Sequence, residues 1–422
     1  MYLPYLFRSF QGFITRDIKE FHSEQHMIVV LEPEVGRVRI CRRCGDVLGR
    51  KRGEYVIEAR HLKVFSWRCS VRLSIWKCEC STCGKIRAEQ VEFLCPTSPH
   101  MTMELAWWIN RLTCGTNVLE ASRLESIDKM SCYKVDKYIL GQLLQGYQIP
   151  KVTHISVDEV YARGPKQQQS NETRDDLFLT VIVDLRTKKV IWVSGSRRKE
   201  ALDTFFEVLG KEACKNIEVV ATDQHEGYNQ SVKQYCSKAK VVWDKFHLLQ
   251  NFNEALNSER MKEFEKAKVY GKDLSRLLRG KYRFLFLKKN VHRTKEEKDH
   301  LLETTHANQR VLVLELIKER VHQMFESRSR REAQEHLCVC YDWAREVGAK
   351  FIEKWIWNLM DKEEFWNYFD HRYTTSVSEG INRAIKGLKW QAYGYKDMGY
   401  FALKIMQKCG YLNYKYILSQ IS

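Results

Sequence analysis

Asp158 lies inside the run Ile155-Ser156-Val157-Asp158-Glu159-Val160. Carboxylates are poor strand residues, and one on a central strand is costly unless something positive neutralises it. A divalent metal ion would do so. The other reading is an edge strand whose acid faces water. Asp223 ends Val219-Val220-Ala221-Thr222-Asp223, where a second ligand would converge on the first. Asp223 and Glu226 also fit a helix capping box. Glu379 lies in Ser376-Val377-Ser378-Glu379-Gly380-Ile381-Asn382-Arg383. Val377, Ile381, Ile385 and Leu388 would share one helical face, and Glu379, Asn382, Arg383 and Lys386 another. That second face sets one acid among groups suited to phosphate, although Ser376 and Glu379 again fit a capping box. Carboxylates on a first strand, after a fourth strand and on a late helix are what two-metal phosphoryl transfer needs. Two Mg2+ ions, with Mn2+ as the alternative, would take these oxygen ligands. One would activate the nucleophile and the other stabilise the leaving oxygen of an in-line displacement.

A second kind of chemistry is written in the cysteines. Cys41-Arg42-Arg43-Cys44-Gly45 and Cys80-Ser81-Thr82-Cys83-Gly84 are two C-x-x-C-G knuckles. Each offers two thiolates and a small residue that lets backbone amides turn toward sulfur. Together they make the tetrahedral four-thiolate site of a structural Zn2+, closed and therefore without an open position for catalysis. The 35 residues between Cys44 and Cys80 include Arg60 to Trp76, which reads as strands. Cys78 is the alternative to Cys80 as third ligand. Buried free thiols are the metal-free reading. Arg42, Arg43 and their basic neighbours would face phosphate.

The elements that must position these groups follow from punctuation and periodicity. All six prolines fall at or before Pro165, which suits a later body of long helices and central strands. Breaks at residues 95–99 and 148–151 divide a cysteine region, a helical stretch and a strand-rich stretch; Arg163 to Gln169 reads as a hairpin loop. The first 95 residues form the expected zinc-binding domain. Within 96–150, helices are expected at Met103 to Leu112, Asn117 to Leu124 and Ser131 to Leu144, with Ser131 as an N-cap. They resemble a helix-turn-helix whose third helix presents Tyr133, Lys134 and Lys137 to DNA. An ordinary three-helix packing unit is the other reading. From 151 onward the chain reads as strands at His154 to Val160, Leu177 to Leu185 and Val190 to Val193, and a helix at Lys199 to Leu209. A strand at Ile217 to Ala221, a helix at Tyr228 to Cys236 and a strand at Lys240 to Trp243 complete a mixed α/β core. A long helical stretch runs to about Phe369, and a last amphipathic helix begins near Ser376.

The 422 residues carry 70 Lys plus Arg against 53 Asp plus Glu, a net charge of +17. That bias suggests a polyanionic partner. Between Arg37 and Arg87 there are 14 basic and 4 acidic residues, so the excess is concentrated around the knuckles. Hydrophobic residues make up 44%, which excludes a disordered chain. No apolar run nears the roughly 18 residues of a membrane helix, and Met1 to His22 lacks a signal-peptide pattern, so the expectation is a cytoplasmic protein with no membrane partner. Seven of fourteen cysteines lie between Cys41 and Cys95, a clustering that in a reducing compartment favours metal ligation over disulfides.

Several stretches in order resemble the ISL3 family of bacterial insertion-sequence transposases. They are Ile155 to Val160, Leu177 to Leu185, Val219 to Tyr228, Trp243-Asp244-Lys245-Phe246-His247, Phe369-Asp370-His371-Arg372-Tyr373-Thr374, Glu379 to Lys386 and Ala392-Tyr393-Gly394-Tyr395. The resemblance implies a ribonuclease H-like catalytic core of the DDE type over 151–422, with a large α-helical insertion at about 248–369. It implies a triad of Asp158, Asp223 and Glu379, preceded by the zinc-binding and helix-turn-helix domains. Asp244 and His247 form a D-x-x-H pattern similar to one in related DDE enzymes, which sets His247 beside the active site. The implied protein binds double-stranded DNA at its element's terminal repeats and at the target, as a homodimer or higher oligomer. It cuts DNA and joins the freed ends. Arg42, Arg43, Lys134, Lys137, Arg383 and Lys386 are the expected DNA contacts. The rival from another class is a zinc-containing DNA-binding regulator with an inactive catalytic fold.

Overall fold

The computed structural model describes residues 10–164, 170, 172–270, 283–371 and 376–413. The hairpin-loop residues 165–169, Arg372 to Thr374 of one matched stretch, and the capping side chain of Ser376 lie outside the described residues. The chain divides into two compact units, 1–148 with 387–422, and 149–386. Among the described residues no helix is long and apolar enough to cross a membrane.

The first unit opens with a sheet of β1 (Phe13–Phe21), β2 (His26–Pro33), β3 (Lys51–Val64), β4 (Trp67–Cys80), β5 (Lys85–Ala88), β6 (Leu94–Cys95) and β7 (Ser98–Thr102). The order is β1-β2-β4-β3-β7-β6, with β5 added to β4. The expected strands of Arg60 to Trp76 are the long β3–β4 hairpin. Alternation along it turns Ile57, Ala59, Val71, Leu73 and Ile75 inward onto Phe10, Phe13, Val29 and Phe93. Three helices follow: α1 (Met103–Gly115), α2 (Val118–Glu125) and α3 (Lys129–Gln145). Thr102, Asn117 and Asp128 cap them through side-chain oxygens. Ser131 is therefore not the cap of α3; its amide donates to Asp128 at 2.8 Å, because the helix starts two residues earlier than its apolar pattern.

The second unit carries a five-stranded sheet. Its strands are β8 (His154–Tyr161), β9 (Phe178–Asp184), β10 (Lys189–Gly195), β11 (Val219–Thr222) and β12 (Lys240–Trp243), in the order β10-β9-β8-β11-β12. β9 runs antiparallel to β8 and β10, whereas β11 runs parallel to β8 and β12. Crossovers through α4 (Lys199–Leu209), α5 (Lys211–Cys214) and α6 (Glu226–Tyr235) make the parallel pairs possible. Near-continuous apolar runs such as Val219–Thr222 are buried throughout, as strands covered on both faces require. Helices α7 (Lys245–Tyr270), α8 (Arg283–Leu287), α9 (Lys295–Ala307), α10 (Gln309–Glu326), α11 (Arg330–Glu346), α12 (Lys350–Met360) and α13 (Glu363–His371) fill the long helical stretch. α13 returns to the sheet, where the Asn367 amide donates to the Val241 carbonyl at 2.9 Å.

The last two helices are α14 (Ser376–Gln391) and α15 (Met398–Cys409). The unit boundary falls inside α14, so residues 387–422 group with 1–148. A buried polar network holds α15 to α1 and α3. Asp136 accepts from Asn110 and Thr113, each at 2.7 Å, and from Tyr400; Lys404 lies 3.2 Å away. Such a network is costly half-made and specific when every member is satisfied.

Candidate active site

β8 is the central strand of its sheet, so Asp158 is not an edge-strand acid. The β8–β11 register pairs Val219 with His154 and Ala221 with Ser156. Continued for two residues, it sets Asp223 level with Asp158. The β11–β12 register pairs Thr222 with Trp243 and sets Asp244 level with Asp223. The parallel strands thus end in a row of acids, a feature read from the sequence only for the first two.

Asp158, Glu159, Asp244, His247 and Glu379 line one cleft of about 490 Å³, with Asn382, Arg383 and Lys386 on its wall. Asp223 is not on that wall. Its carboxylate accepts the His225 amide at 3.0 Å, and His225, without a side-chain cap, precedes α6. The alternative reading of Asp223 and Glu226 as a capping box is therefore not met. Burial pushes the Asp158 carboxyl above its ordinary range, and nearby Asp223 adds to the rise; the Glu159 amide, His247 and Asn382 oppose it. The Glu159 carboxyl is pushed up to about 7, first by burial, then by Asp223, against the pull of Arg197 at 3.6 Å. Burial likewise raises the Tyr228 phenol, and all three acids add to it. A half-buried group of acids of this kind favours a bound cation.

His247 is half-exposed and stands 3.9 Å from Asp244, which accepts the Phe246 amide at 3.0 Å and so starts α7. Glu379 forms an ion pair with Arg383, one helical turn on. Asn382, expected to face phosphate, instead donates to Asp158 at 2.7 Å. Ser378 shares a 2.6 Å hydrogen bond with Ser156. Both contacts join residues more than 200 positions apart, and no local pattern marks them. The oxygen-rich donor set of the cleft suits a hard divalent ion.

In the first unit the ligand atoms of Cys41, Cys44, Cys80 and Cys83 all lie within 4.8 Å of one another. Two of the separations are 3.5 Å (Cys44–Cys80) and 4.0 Å (Cys41–Cys83). A tetrahedron with zinc–sulfur bonds of about 2.3 Å has edges of about 3.8 Å, so the quartet fits Zn2+. Gly45 and Gly84 take φ of +81° and +61°, the left-handed turn each knuckle needs. Cys78 packs beside the quartet in a small core with Cys41, Leu48 and Cys80, and the group within ligand distance contains Cys80 instead. Among the described residues, no other group of three or more His, Cys, Asp or Glu gathers within that distance.

The expected DNA contacts divide. Arg43 and Lys134 are exposed, and Lys386 is exposed on the cleft wall. Arg42 is exposed but donates to the Pro96 carbonyl at 2.7 Å. Lys137 is taken up by Asp397, which also accepts from Tyr133 at 2.6 Å. Tyr133 and Lys137 are thus not free readers on α3, because the segment before α15 already engages them. Arg383 is likewise committed to Glu379.

Residues 155–405 match the family model of the ISL3 DDE transposases, described as a transposase. The chain is 24% identical over 385 residues to the transposase for insertion sequence element IS1001 of Bordetella parapertussis, covering 89% of this chain and 90% of that one. It is 23% identical over 245 residues to the transposase for insertion sequence element IS1557 of Mycobacterium tuberculosis, covering 53% and 55%. The family match covers more than half of the chain. The chain belongs to the ISL3 family of DDE transposases.

Proposed function

We propose that this transposase binds the terminal repeats of its own insertion sequence and catalyses metal-dependent DNA cleavage and strand transfer. The observation that carries the reading is a half-buried acid on a central strand, Asp158, opening into the same cleft as Glu379. The strand order supports a ribonuclease H-like core, with residues of about 248–369 as its helical insertion. Asp158, Asp223 and Glu379 would hold two Mg2+ ions, or Mn2+, which supply nucleophile activation and leaving-group stabilisation when bound. His247 helps to keep Asp158 ionised. Lys386 draws the phosphate backbone toward the acids, while Arg383 pairs with Glu379 until the site is loaded. Cys41, Cys44, Cys80 and Cys83 hold a structural Zn2+ that braces the basic knuckles, so that Arg42 and Arg43 meet DNA. Lys134 adds a contact from α3. The protein works in the cytoplasm, and handling two ends at once calls for at least a dimer.

The test is substitution of Asp158 or Glu379 by Ala in the full chain. Mg2+-dependent nicking of end DNA should fall at least about 10³-fold, the scale of losing a central charge-stabilising group. Binding of end DNA should stay within about twofold. Retained nicking removes the residue from the mechanism; nicking absent from the parent as well leaves the DNA-binding regulator.

A further inference from the structure

Asp158 and Glu379 are 221 positions apart, and two side-chain contacts bridge the strand and the helix that carry them. Ser378 immediately precedes Glu379 and bonds Ser156; Asn382, three residues after Glu379, donates to Asp158. On β8, Ser156 and Asp158 share a face and stand about 6.6 Å apart along the strand. On α14, Ser378 and Asn382 share a face and stand about 6 Å apart along the axis. The two spacings match, so the contacts form parallel rungs between strand and helix. Both serines are buried, Ser156 at 0% and Ser378 at 1% exposure, where an unmade hydroxyl bond is expensive.

We propose that Asn382 and Ser378 are positioning residues that hold Asp158 and Glu379 in metal-binding register. The inference rests on the reading of these acids as the metal ligands. Asp158 receives the Glu159 amide on one oxygen, at 2.7 Å, and Asn382 on the other. The carboxylate is thereby fixed in rotation, and each oxygen keeps lone pairs for a cation. The rungs also fix the level of α14 along β8, which sets where Glu379 enters the cleft. Asn suits this post better than a cation: its neutral amide orients Asp158 without cancelling the charge that must attract the metal. Glu379 sits between the two rungs in sequence, so loss of either tie loosens it.

The test is Mn2+ binding, read by electron paramagnetic resonance on the full chain, alongside the Mg2+ dependence of nicking. N382A should weaken Mn2+ binding about tenfold, as loss of a hydrogen-bond partner to a metal ligand does, and raise the Mg2+ needed for half-maximal nicking by a similar factor. S378A should do the same more mildly, about threefold. Nicking at saturating Mg2+ should recover most of the parent rate in both, which a general loss of structure would not allow. N382Q, with the amide moved by one methylene, should recover part of the metal affinity. Unchanged Mn2+ affinity in N382A, alongside its loss in D158A, overturns the positioning role and leaves the catalytic reading standing. Unchanged affinity in D158A overturns both. Should N382A fail to fold, S378A and N382Q carry the same comparison, and parent-like Mn2+ affinity in both overturns the inference.

Discussion

The cysteine quartet and the carboxylate cleft each join pieces from distant parts of the chain, yet they are assembled to different tightness. The four sulfurs lie within 4.8 Å of one another, whereas the acids of the cleft do not meet that measure. The acids instead take other partners: Glu379 an arginine, Asp158 an amide, Glu159 Arg197. Thiols are neutral when protonated and pack closely without a metal. Carboxylates repel, by about 4 kcal/mol at 4 Å for an effective dielectric near 20, and must be held by donors until a cation arrives. The first site is built into the fold of its unit, and the second is held ready by its neighbours. On the proposed reading the metal is structural in one and catalytic in the other.

Withdrawing metal should separate the two most strongly. On the proposed reading, C80S abolishes zinc binding, exposes residues 39–51 and 76–89 to hydrogen exchange, and weakens end binding at least about 100-fold. The apparent zinc contribution in small domains, about 10–16 kcal/mol, exceeds the stability of most domains. C78S removes only a core thiol and should cost about 1 kcal/mol while one zinc per chain remains. Zinc lost from C78S, or kept by C80S, would exchange their assignments. In the second unit, D158A should leave thermal stability unchanged or higher, since it removes a half-buried acid from beside Asp223.

A smaller effect concerns pH. The Glu159 carboxyl is raised to about 7, mainly by burial, from an ordinary value of 4.5. Between those values the folded chain holds a proton that the unfolded chain has lost, so metal-free stability falls as pH rises from about 4.5 to 7. E159Q cannot titrate. Its stability relative to the parent should therefore grow across that window by about 1–3 kcal/mol, followed by urea unfolding at each pH. A constant difference would show that Glu159 does not carry this cost.

How far these features were legible follows from the distance over which each is specified. The knuckles are local, since four residues and a glycine fix each turn, and both were readable, although the choice between Cys78 and Cys80 needed the β4–β5 pairing. The succession of strands and helices in the core came through because each apolar run is bounded by turns; β8 to β12 lie within two residues of their expected ends. Asp158 was visible as an acid that a central strand should not tolerate. The row continuing to Asp244 was not, because strand register is a pairing between segments. Nor were the Asn382–Asp158 contact, the Lys137–Asp397 ion pair and the return of α15 to the first unit, each joining groups more than 200 residues apart. α3 shows the consequence: its polar face looks open from its own residues, and part of it is already occupied.

That occupied face yields the smallest effect. Lys134 and Lys137 are both exposed on α3, but Asp397 draws on Lys137 alone. Burial works against the Asp397 charge, yet Lys137, Tyr133 and the Tyr400 amide outweigh it and hold the carboxyl at about 2, so the pair stays charged at any working pH. A phosphate reaching Lys137 must displace that partner, while on the proposed reading one reaching Lys134 would not. K134A should weaken end binding about fourfold and lower the slope of log affinity against log salt by about 1. K137A should change affinity less than about twofold and leave the slope alone. D397N keeps an acceptor for the Tyr400 amide at the start of α15, 2.9 Å away, while releasing Lys137, so it should steepen the slope by about 1. Equal losses in K134A and K137A would mean that the ion pair opens on DNA, and that the α3 face is as available as its own residues suggest.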